Sequence, residues 1–209
     1  VSRGVDTTLF DPARRSASLR RSWGLEPDDL AVVYVGRIAP EKNLALLEKA
    51  FEAIRAHQPR ARLILVGSGP AQQALQARQP AAVFCGSRTG AFLAEHYASG
   101  DLFLFPSLTE TYGNVVAEAL ASGLPVVAYR DAAARELIEH QVHGWLAEPG
   151  DEAAFVAGAV ALAEAPELRS RQRLAARERV ASLAWQAIVE RLVTLQRQVI
   201  LSSPVTARR

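Results

Sequence analysis

The 209-residue sequence contains no methionine, one cysteine and two lysines, and it lacks any long hydrophobic run. Its single cysteine, Cys85, cannot form an internal disulfide, which excludes a disulfide scaffold and favours a reducing compartment. The longest apolar stretch, residues 155–163, falls far short of the roughly 20 residues that a membrane-spanning helix needs. These absences predict a cytoplasmic globular protein.

Charge is abundant in this sequence but nearly balanced. A formal net charge of +2 is too small to favour nucleic acid as a partner. Hydrophobic residues make up 49% and charged residues 22%, which is typical of globular chains and excludes fibrous and disordered classes. Of 24 basic residues, only Lys42 and Lys49 are lysine. We interpret the excess of arginine as codon bias without chemical meaning, so each lysine is notable.

Six short apolar segments, most of them rich in β-branched residues, alternate with helix-length amphipathic segments. The apolar segments are residues 31–35, 62–66, 82–84, 101–105, 125–129 and 144–146. This alternation predicts an α/β fold, a Rossmann-like doubly wound parallel sheet of about six strands. From Asp151 onward the pattern is helical, which adds a C-terminal helical segment of three helices. We expect one domain over residues 1–209, with a disordered tail at 202–209.

The segment after the first predicted strand carries two cations. Gly36 and Arg37 end the strand, and Lys42 stands near the start of the next helix. A cation near a helix start is unfavourable, because the helix dipole prefers anions there. A phosphate bound between the two cations would compensate for this placement. Ligands of doubly wound sheets bind at this edge, where the strands end. The alternative is that both side chains are ordinary solvated surface cations.

The segment after the fourth predicted strand combines carboxylates with a helix start. Glu110 lies in the loop, Gly113 and Asn114 open the helix, and Glu118 follows four residues after Asn114 on the same face. Free N–H groups at a helix start form an anion site, and a carboxylate beside it can take vicinal ribose hydroxyls. Glu110 could hold the hydroxyls of a second polyol. The alternative is that both are plain surface carboxylates.

The sequence 67–70 after the second predicted strand is Gly-Ser-Gly-Pro. It is not a phosphate-binding P-loop, because no Gly-Lys-Ser/Thr follows. A tight strand-to-helix turn explains it without a ligand, with Pro70 expected at the first helical position.

Other chemistries find little support in the sequence. The four histidines have no metal-ligand spacing with each other or with Cys85, so no metal site is expected. Cys85 is better explained as a small buried hydrophobic residue than as a nucleophile.

Taken together, the motifs resemble a known enzyme family. Gly36, Arg37 and Lys42, followed by Glu110 and by Glu118 after seven intervening residues, resemble the retaining glycosyltransferases of family 4, which have the GT-B fold. Further segments fit the same family: residues 3–6 with Phe10 and Pro12, residues 121–126, His143 with Gly144, and residues 149–151. The resemblance covers about residues 2–200 and concerns only the C-terminal, donor-binding domain.

The resemblance implies a role for each matching residue. Arg37 and Lys42 would neutralise the diphosphate of a sugar nucleotide, Glu110 would bind donor-sugar hydroxyls, and Glu118 the ribose. The backbone amides of Gly113, Asn114 and Val115 would hold phosphate or sugar oxygens. Residues around Ser87 and Arg88 would lie beside the nucleotide base. No metal and no other cofactor would be required. Residues 109–114 resemble both members that use GDP-mannose and lipid-directed relatives that use UDP-sugars.

The same resemblance implies a partner domain. The acceptor would bind an N-terminal domain with no counterpart in this sequence, so the 209 residues alone should bind nucleotide without normal transfer activity. Contact with a membrane face is expected if the acceptor is a lipid. Two alternatives remain: a non-catalytic, nucleotide-binding Rossmann-like module with a regulatory or docking role, and a GT-B epimerase or phosphorylase.

Overall fold

The computed structural model describes residues 4–108 and 113–202. The strands are β1 (Ala31–Val35), β2 (Arg62–Val66), β3 (Val83–Gly86), β4 (Leu102–Phe105), β5 (Val126–Tyr129) and β6 (Gly144–Ala147). The helices are α1 (Ala17–Ser22), α2 (Leu44–His57), α3 (Gln72–Arg78), α4 (Gly90–Ser99), α5 (Asn114–Ala121), α6 (Ala132–Leu137), α7 (Glu152–Glu164), α8 (Pro166–Ala181) and α9 (Trp185–Ser202). Short 3₁₀ helices lie at Pro12–Arg14 and Pro40–Lys42.

All strand pairings within the sheet are parallel, in the order β3-β2-β1-β4-β5-β6. The predicted Rossmann-like sheet of about six strands is therefore confirmed. The strand order reverses between β1 and β4, and ligands of such sheets bind outside the carboxyl ends of the strands at this reversal. The loops that follow β1 and β4 are accordingly the first place to look for a site.

Alternate residues of each strand face opposite sides of the sheet, as the two-residue period of a strand requires. Val33 and Phe103 belong to one core cluster with helices α4, α5, α6 and α8, whereas Val32 and Leu102 belong to the other with α2, α3 and α7. Because both faces are covered, the strands are apolar on both sides. The core thus holds the carboxyl edge of the sheet in a fixed position.

Besides shifts of one or two residues at strand ends, three departures from the sequence prediction stand out. Helix α1 was not predicted; Ser16 caps it by accepting a hydrogen bond from the Leu19 N–H at 3.2 Å. Helix α3 begins at Gln72 rather than at Pro70, because the intervening residues are used in contacts with the loop after β1. The three C-terminal helices are confirmed, but Ser202 ends α9 instead of opening a tail, and residues 203–209 lie outside the described part of the chain.

Helix α8 carries arginines at a spacing of four residues, so they share one face of the helix. Arg169 donates to backbone carbonyls at the end of α7, Arg173 to Gly100 O and Gly123 O, and Arg177 to Ala121 O at the end of α5. Carbonyls at a helix C-terminus lack intrahelical partners and favour cations. These three arginines therefore have a structural role that the interpretation as codon bias did not include.

Within the described ranges, no helix is both long enough and apolar enough to cross a membrane.

Candidate functional site

Hydrogen bonds tie the loops after β1, β2 and β3 to one another at the carboxyl edge. The Ile38 N–H donates to Ser68 O at 3.0 Å, and the Gly67 N–H donates to Gly86 O at 2.9 Å. A Cβ added to Gly67 would lie 1.9 Å from the Gly36 carbonyl oxygen. Close packing of two loops thus explains the glycine of this turn without a ligand, whereas the sequence alone suggested a tight strand-to-helix turn.

Ser87 and Arg88, expected near a base, follow the edge strand β3. Ser87 Oγ lies 2.9 Å from Ser68 Oγ, which connects the third loop to the second. Arg88 is exposed, and its charge acts on the Cys85 thiol and the His96 ring. Both residues therefore lie on the same edge as the other predicted residues, but two strands away from the β1–β4 reversal.

Arg37 and Lys42 are both in the loop after β1. The Arg37 side chain is 63% exposed and forms an ion pair with Glu41 at 3.0 Å, while its carbonyl accepts a hydrogen bond from Tyr34 Oη at 2.9 Å. Lys42 ends the 3₁₀ helix that precedes α2 and is half-buried. The two cations thus share one short loop, with the backbone of Arg37 fixed and its guanidinium in solvent.

Asn43 connects this loop to the strand on the other side of the reversal. It adopts a left-handed conformation (φ 52°) at the start of α2, and its Nδ2 donates to Pro106 O at 3.3 Å. The next residue, Ser107, is 5% exposed, and its Oγ has no hydrogen-bond partner among the described residues. Buried hydroxyls normally have a hydrogen-bond partner, so the Ser107 hydroxyl is open to a polar partner outside the described residues.

Helix α5 begins at this same edge. Gly113 precedes it in a left-handed conformation (φ 83°), and among residues 4–108 and 113–202 no side chain caps the helix. The amides of Asn114 and Val115 therefore have no intrahelical partner, as at any helix start. They and the positive end of the helix dipole favour an anion here. Glu110, predicted to bind sugar hydroxyls, lies outside the described residues, as does Arg3.

Glu118 is half-buried on the second turn of α5, so it is not a plain surface carboxylate. Tyr97 on α4, which is fully buried, donates its hydroxyl to Glu118 Oε2 at 3.1 Å. Burial raises the pKa of Glu118, and the hydrogen bond from Tyr97 counteracts that rise. Burial and the charge of Glu118 raise the pKa of Tyr97 well above its ordinary value, so this hydroxyl stays protonated and can only donate to the carboxylate.

Sequence reasoning missed two residues of this arrangement. Tyr97 is 21 positions away from Glu118 and on another helix, and nothing in local spacing relates them. Asn43 directly follows Lys42, but its bond to Pro106 spans 63 positions and depends on strand order. A buried aromatic residue with a polar tip, such as Tyr97, is a general signal for a fixed polar partner, but it does not identify that partner.

The histidines and the cysteine take structural positions. Nδ1 of His140 accepts from the Leu146 N–H at 3.1 Å, and Nδ1 of His143 accepts from the Glu139 N–H at 3.0 Å. Burial raises the pKa of the Cys85 thiol, which fits its interpretation as a small hydrophobic residue. In the part of the chain that the structure describes, no group of three or more His, Cys, Asp or Glu residues is placed to hold a metal.

Comparison with known proteins relates this chain to glycosyltransferases. Residues 29–165 match the family model for glycosyl transferases group 1. A GDP-mannose-dependent alpha-mannosyltransferase of Mycobacterium tuberculosis is 40% identical over 92% of this chain and 49% of its own length. The sulfoquinovosyl transferase SQD2 of Arabidopsis thaliana is 37% identical over 91% of this chain and 38% of its own length. The chain thus spans about half, or less, of the length of these relatives.

Solved structures show the same architecture. A sucrose-phosphate synthase of Thermosynechococcus elongatus superposes with a TM-score of 0.80 and 27% identity, over 97% of this chain and 53% of the other. The C-terminal domain of a group 1 glycosyl transferase, LpcC of Francisella tularensis, superposes with a TM-score of 0.75 and 21% identity, over 86% of this chain and 97% of the other. Sequence and fold agree, and the chain belongs to the glycosyl transferases group 1 family.

Proposed function

We infer that the chain is the donor-binding domain of a retaining glycosyltransferase of the GT-B type, family 4, and that it binds a nucleotide-diphosphate sugar. The observation that carries this is the Asn43–Pro106 hydrogen bond at the strand-order reversal. It holds the loop bearing Arg37 and Lys42 against the loop that leads into α5. Arg37, Lys42 and the start of α5, which no described side chain caps, thus follow the two strands on either side of the reversal. This arrangement suits a doubly charged diphosphate.

Each predicted residue has a proposed part in donor binding. Arg37 and Lys42 neutralise the diphosphate, and the amides of Gly113, Asn114 and Val115 hold phosphate or sugar oxygens. Glu118 accepts hydrogen bonds from the ribose hydroxyls, for which its half-buried position on the α5 face is suited. Glu110 binds hydroxyls of the donor sugar, and Ser87 with Arg88 lies along the base.

The chemistry of transfer places a charge on the diphosphate. When the bond between the anomeric carbon and the diphosphate oxygen breaks, negative charge develops on the leaving group. Arg37 and Lys42, both carried by the loop after β1, would stabilise that charge without a required metal. The Ser107 hydroxyl at this edge, which has no hydrogen-bond partner among the described residues, is available to a ligand oxygen.

A guanine nucleotide carrying mannose is our first candidate for the donor. Several relatives between 34% and 40% identical are named as GDP-mannose-dependent alpha-mannosyltransferases. Uridine nucleotides are the second candidate, because Anabaena HepE, solved with UDP, shares the fold with a TM-score of 0.78.

The whole protein needs an acceptor-binding domain, which we propose precedes this one. Helix α9 supports the idea because it exposes several large apolar side chains: Trp185 (55%), Val189 (53%), Leu192 (40%) and Leu195 (45%). An apolar stripe of this kind is typical of a contact surface. The protein would work in the cytoplasm, at the membrane face where the acceptor is a lipid.

Calorimetric titration of the 209-residue chain with GDP, UDP and ADP tests this function. We expect at least one diphosphate to bind and the matching nucleoside, which lacks the phosphates, to bind at least about tenfold more weakly. A chain that binds none of the three would contradict both the donor-binding domain and the nucleotide-binding docking module. The transferase relatives do not favour that module.

A further inference from the structure

A buried tyrosine of α4 contacts the predicted ribose-binding carboxylate, and no motif identified it. Tyr97 is 0% exposed, and its ring packs against Phe10 and Phe103 with centroid distances of 5.8 Å and 5.7 Å. This packing leaves the hydroxyl little freedom. It points at Glu118 Oε2, 3.1 Å away, from a neighbouring helix.

We propose that Tyr97 is a positioning residue that holds Glu118 Oε2, so that Oε1 is presented to the ribose hydroxyls of the nucleotide. The inference rests on the proposed function. Oε1 has no hydrogen-bond partner among the described residues, whereas Oε2 is occupied. A glutamate side chain has three rotatable bonds, and fixing one oxygen removes most of the freedom that a ligand would otherwise have to restrict.

The other charged side chains described near α5 do not perform this task. The charged side chains of α8 that reach α5, Arg173 and Arg177, bond to carbonyls at its C-terminal end, Gly123 O and Ala121 O. Arg135 of the neighbouring α6 is exposed. Among the described residues, Tyr97 is the one whose side chain donates a hydrogen bond to the Glu118 carboxylate.

The test compares a nucleoside diphosphate with its 2′,3′-dideoxy form, using the base that binds the wild type best. The dissociation constant of the dideoxy form divided by that of the parent nucleotide reports the strength of the hydrogen bonds to the ribose hydroxyls. Tyr97→Phe keeps the ring and its packing but removes the hydroxyl, and we expect it to reduce this ratio about threefold to tenfold. A purely structural role for Tyr97 would weaken both ligands equally and leave the ratio unchanged.

Matched variants complete the design. Tyr129→Phe removes another buried hydroxyl, one that no described residue hydrogen-bonds, and should leave the ratio unchanged. Glu118→Gln should lower the ratio, and Tyr97→Phe should have no further effect in that background. Glu118→Asp keeps the charge but is too short to hold the same bond, so it should match Tyr97→Phe without altering the core.

The outcomes separate the inference from the function on which it rests. The positioning role alone is overturned if the ratio falls in Glu118→Gln but keeps its wild-type value in Tyr97→Phe. If Tyr97→Phe does not fold, Glu118→Asp takes its place in this comparison. Absence of nucleotide binding by the wild type overturns both. A lower ratio in Tyr97→Phe and Glu118→Asp, with Tyr129→Phe unchanged, supports the inference.

Discussion

The carbonyl oxygen of Gly36 occupies the space in which a side chain of Gly67 would begin. A Cβ built on Gly67 would lie 1.9 Å from that oxygen, and the Gly67 backbone has φ +143°. The two loops at the carboxyl ends of β1 and β2 are therefore packed backbone to backbone. The loop that carries Arg37 and Lys42 depends on this contact for its position.

Gly67→Ala should destabilise the chain by about 2–5 kcal/mol, because the loop after β1 must move and the backbone conformation is unfavourable for alanine. Gly150→Ala is the matched control. Gly150 also has a positive φ (+87°), but no atom lies within 4 Å of its added Cβ. Gly150→Ala should therefore reduce the free energy of unfolding by only about 1–2 kcal/mol, the cost of placing an alanine in a left-handed backbone conformation. Urea unfolding measures both, and equal losses would refute the close-packing account.

Asp101 should hold the start of β4 through charge. Burial alone would raise its pKa, but Arg15 and Arg20, at 2.7 Å and 2.8 Å, hold the pKa below its ordinary value. Asp101→Asn should cost about 3–5 kcal/mol at pH 7, because Arg20 is left buried without its carboxylate. In contrast, Glu152→Gln at the exposed pair with Lys49 should cost less than about 1 kcal/mol.

The stabilisation by Asp101 should also depend on pH in a defined direction. A carboxyl whose pKa is lower in the folded state stabilises fully above its unfolded pKa of about 3.9, and loses that effect as pH falls through the folded value. The difference in unfolding free energy between wild type and Asp101→Asn should therefore be constant from pH 5 to 7 and narrow below about pH 4. A difference that grows on acidification would contradict the assigned ion pairs.

Arg173 should stabilise the chain by joining the ends of two helical segments. It donates to Gly123 O at 3.1 Å and to Gly100 O at 2.9 Å, and burial lowers its pKa. Arg173→Met keeps much of the aliphatic packing and should cost about 1.5–3 kcal/mol for the lost charged hydrogen bonds. Arg171→Met, on the exposed face of the same helix, should change stability by less than about 0.5 kcal/mol. If thermal unfolding shows similar losses of stability for the two variants, the stabilising role of the Arg173 hydrogen bonds is contradicted.

The sequence predicted the sheet well because parallel strands covered on both faces are apolar throughout. Ala31–Val35 and Leu102–Phe105 are buried along their whole length, and such runs are visible without any tertiary information. Glycines and prolines between them marked the strand ends, and thus the edge where Arg37, Ser87 and Asn114 lie. Helix α1 was missed because its six residues include four polar ones and show no apolar periodicity.

Contacts across the fold could not be predicted in the same way. The bonds from Tyr97 to Glu118 and from Asn43 to Pro106 depend on which strands and helices become neighbours. The roles of Arg173 and Arg177 depend on where other helices end, which the spacing within α8 does not reveal. Pro70 was misplaced because the turn before α3 is lengthened by its contact with Ile38.

The two lysines provide the most direct test of the central claim, that the loop after β1 binds the diphosphate of a nucleotide. Lys42 is at the carboxyl edge of the sheet, whereas Lys49 is on α2, exposed and paired with Glu152 at 3.1 Å. Calorimetric titration with the preferred nucleoside diphosphate should show that Lys42→Ala weakens binding by about tenfold to a hundredfold. Lys49→Ala should remain within about twofold of the wild type, whereas equal dissociation constants for all three proteins would contradict the account.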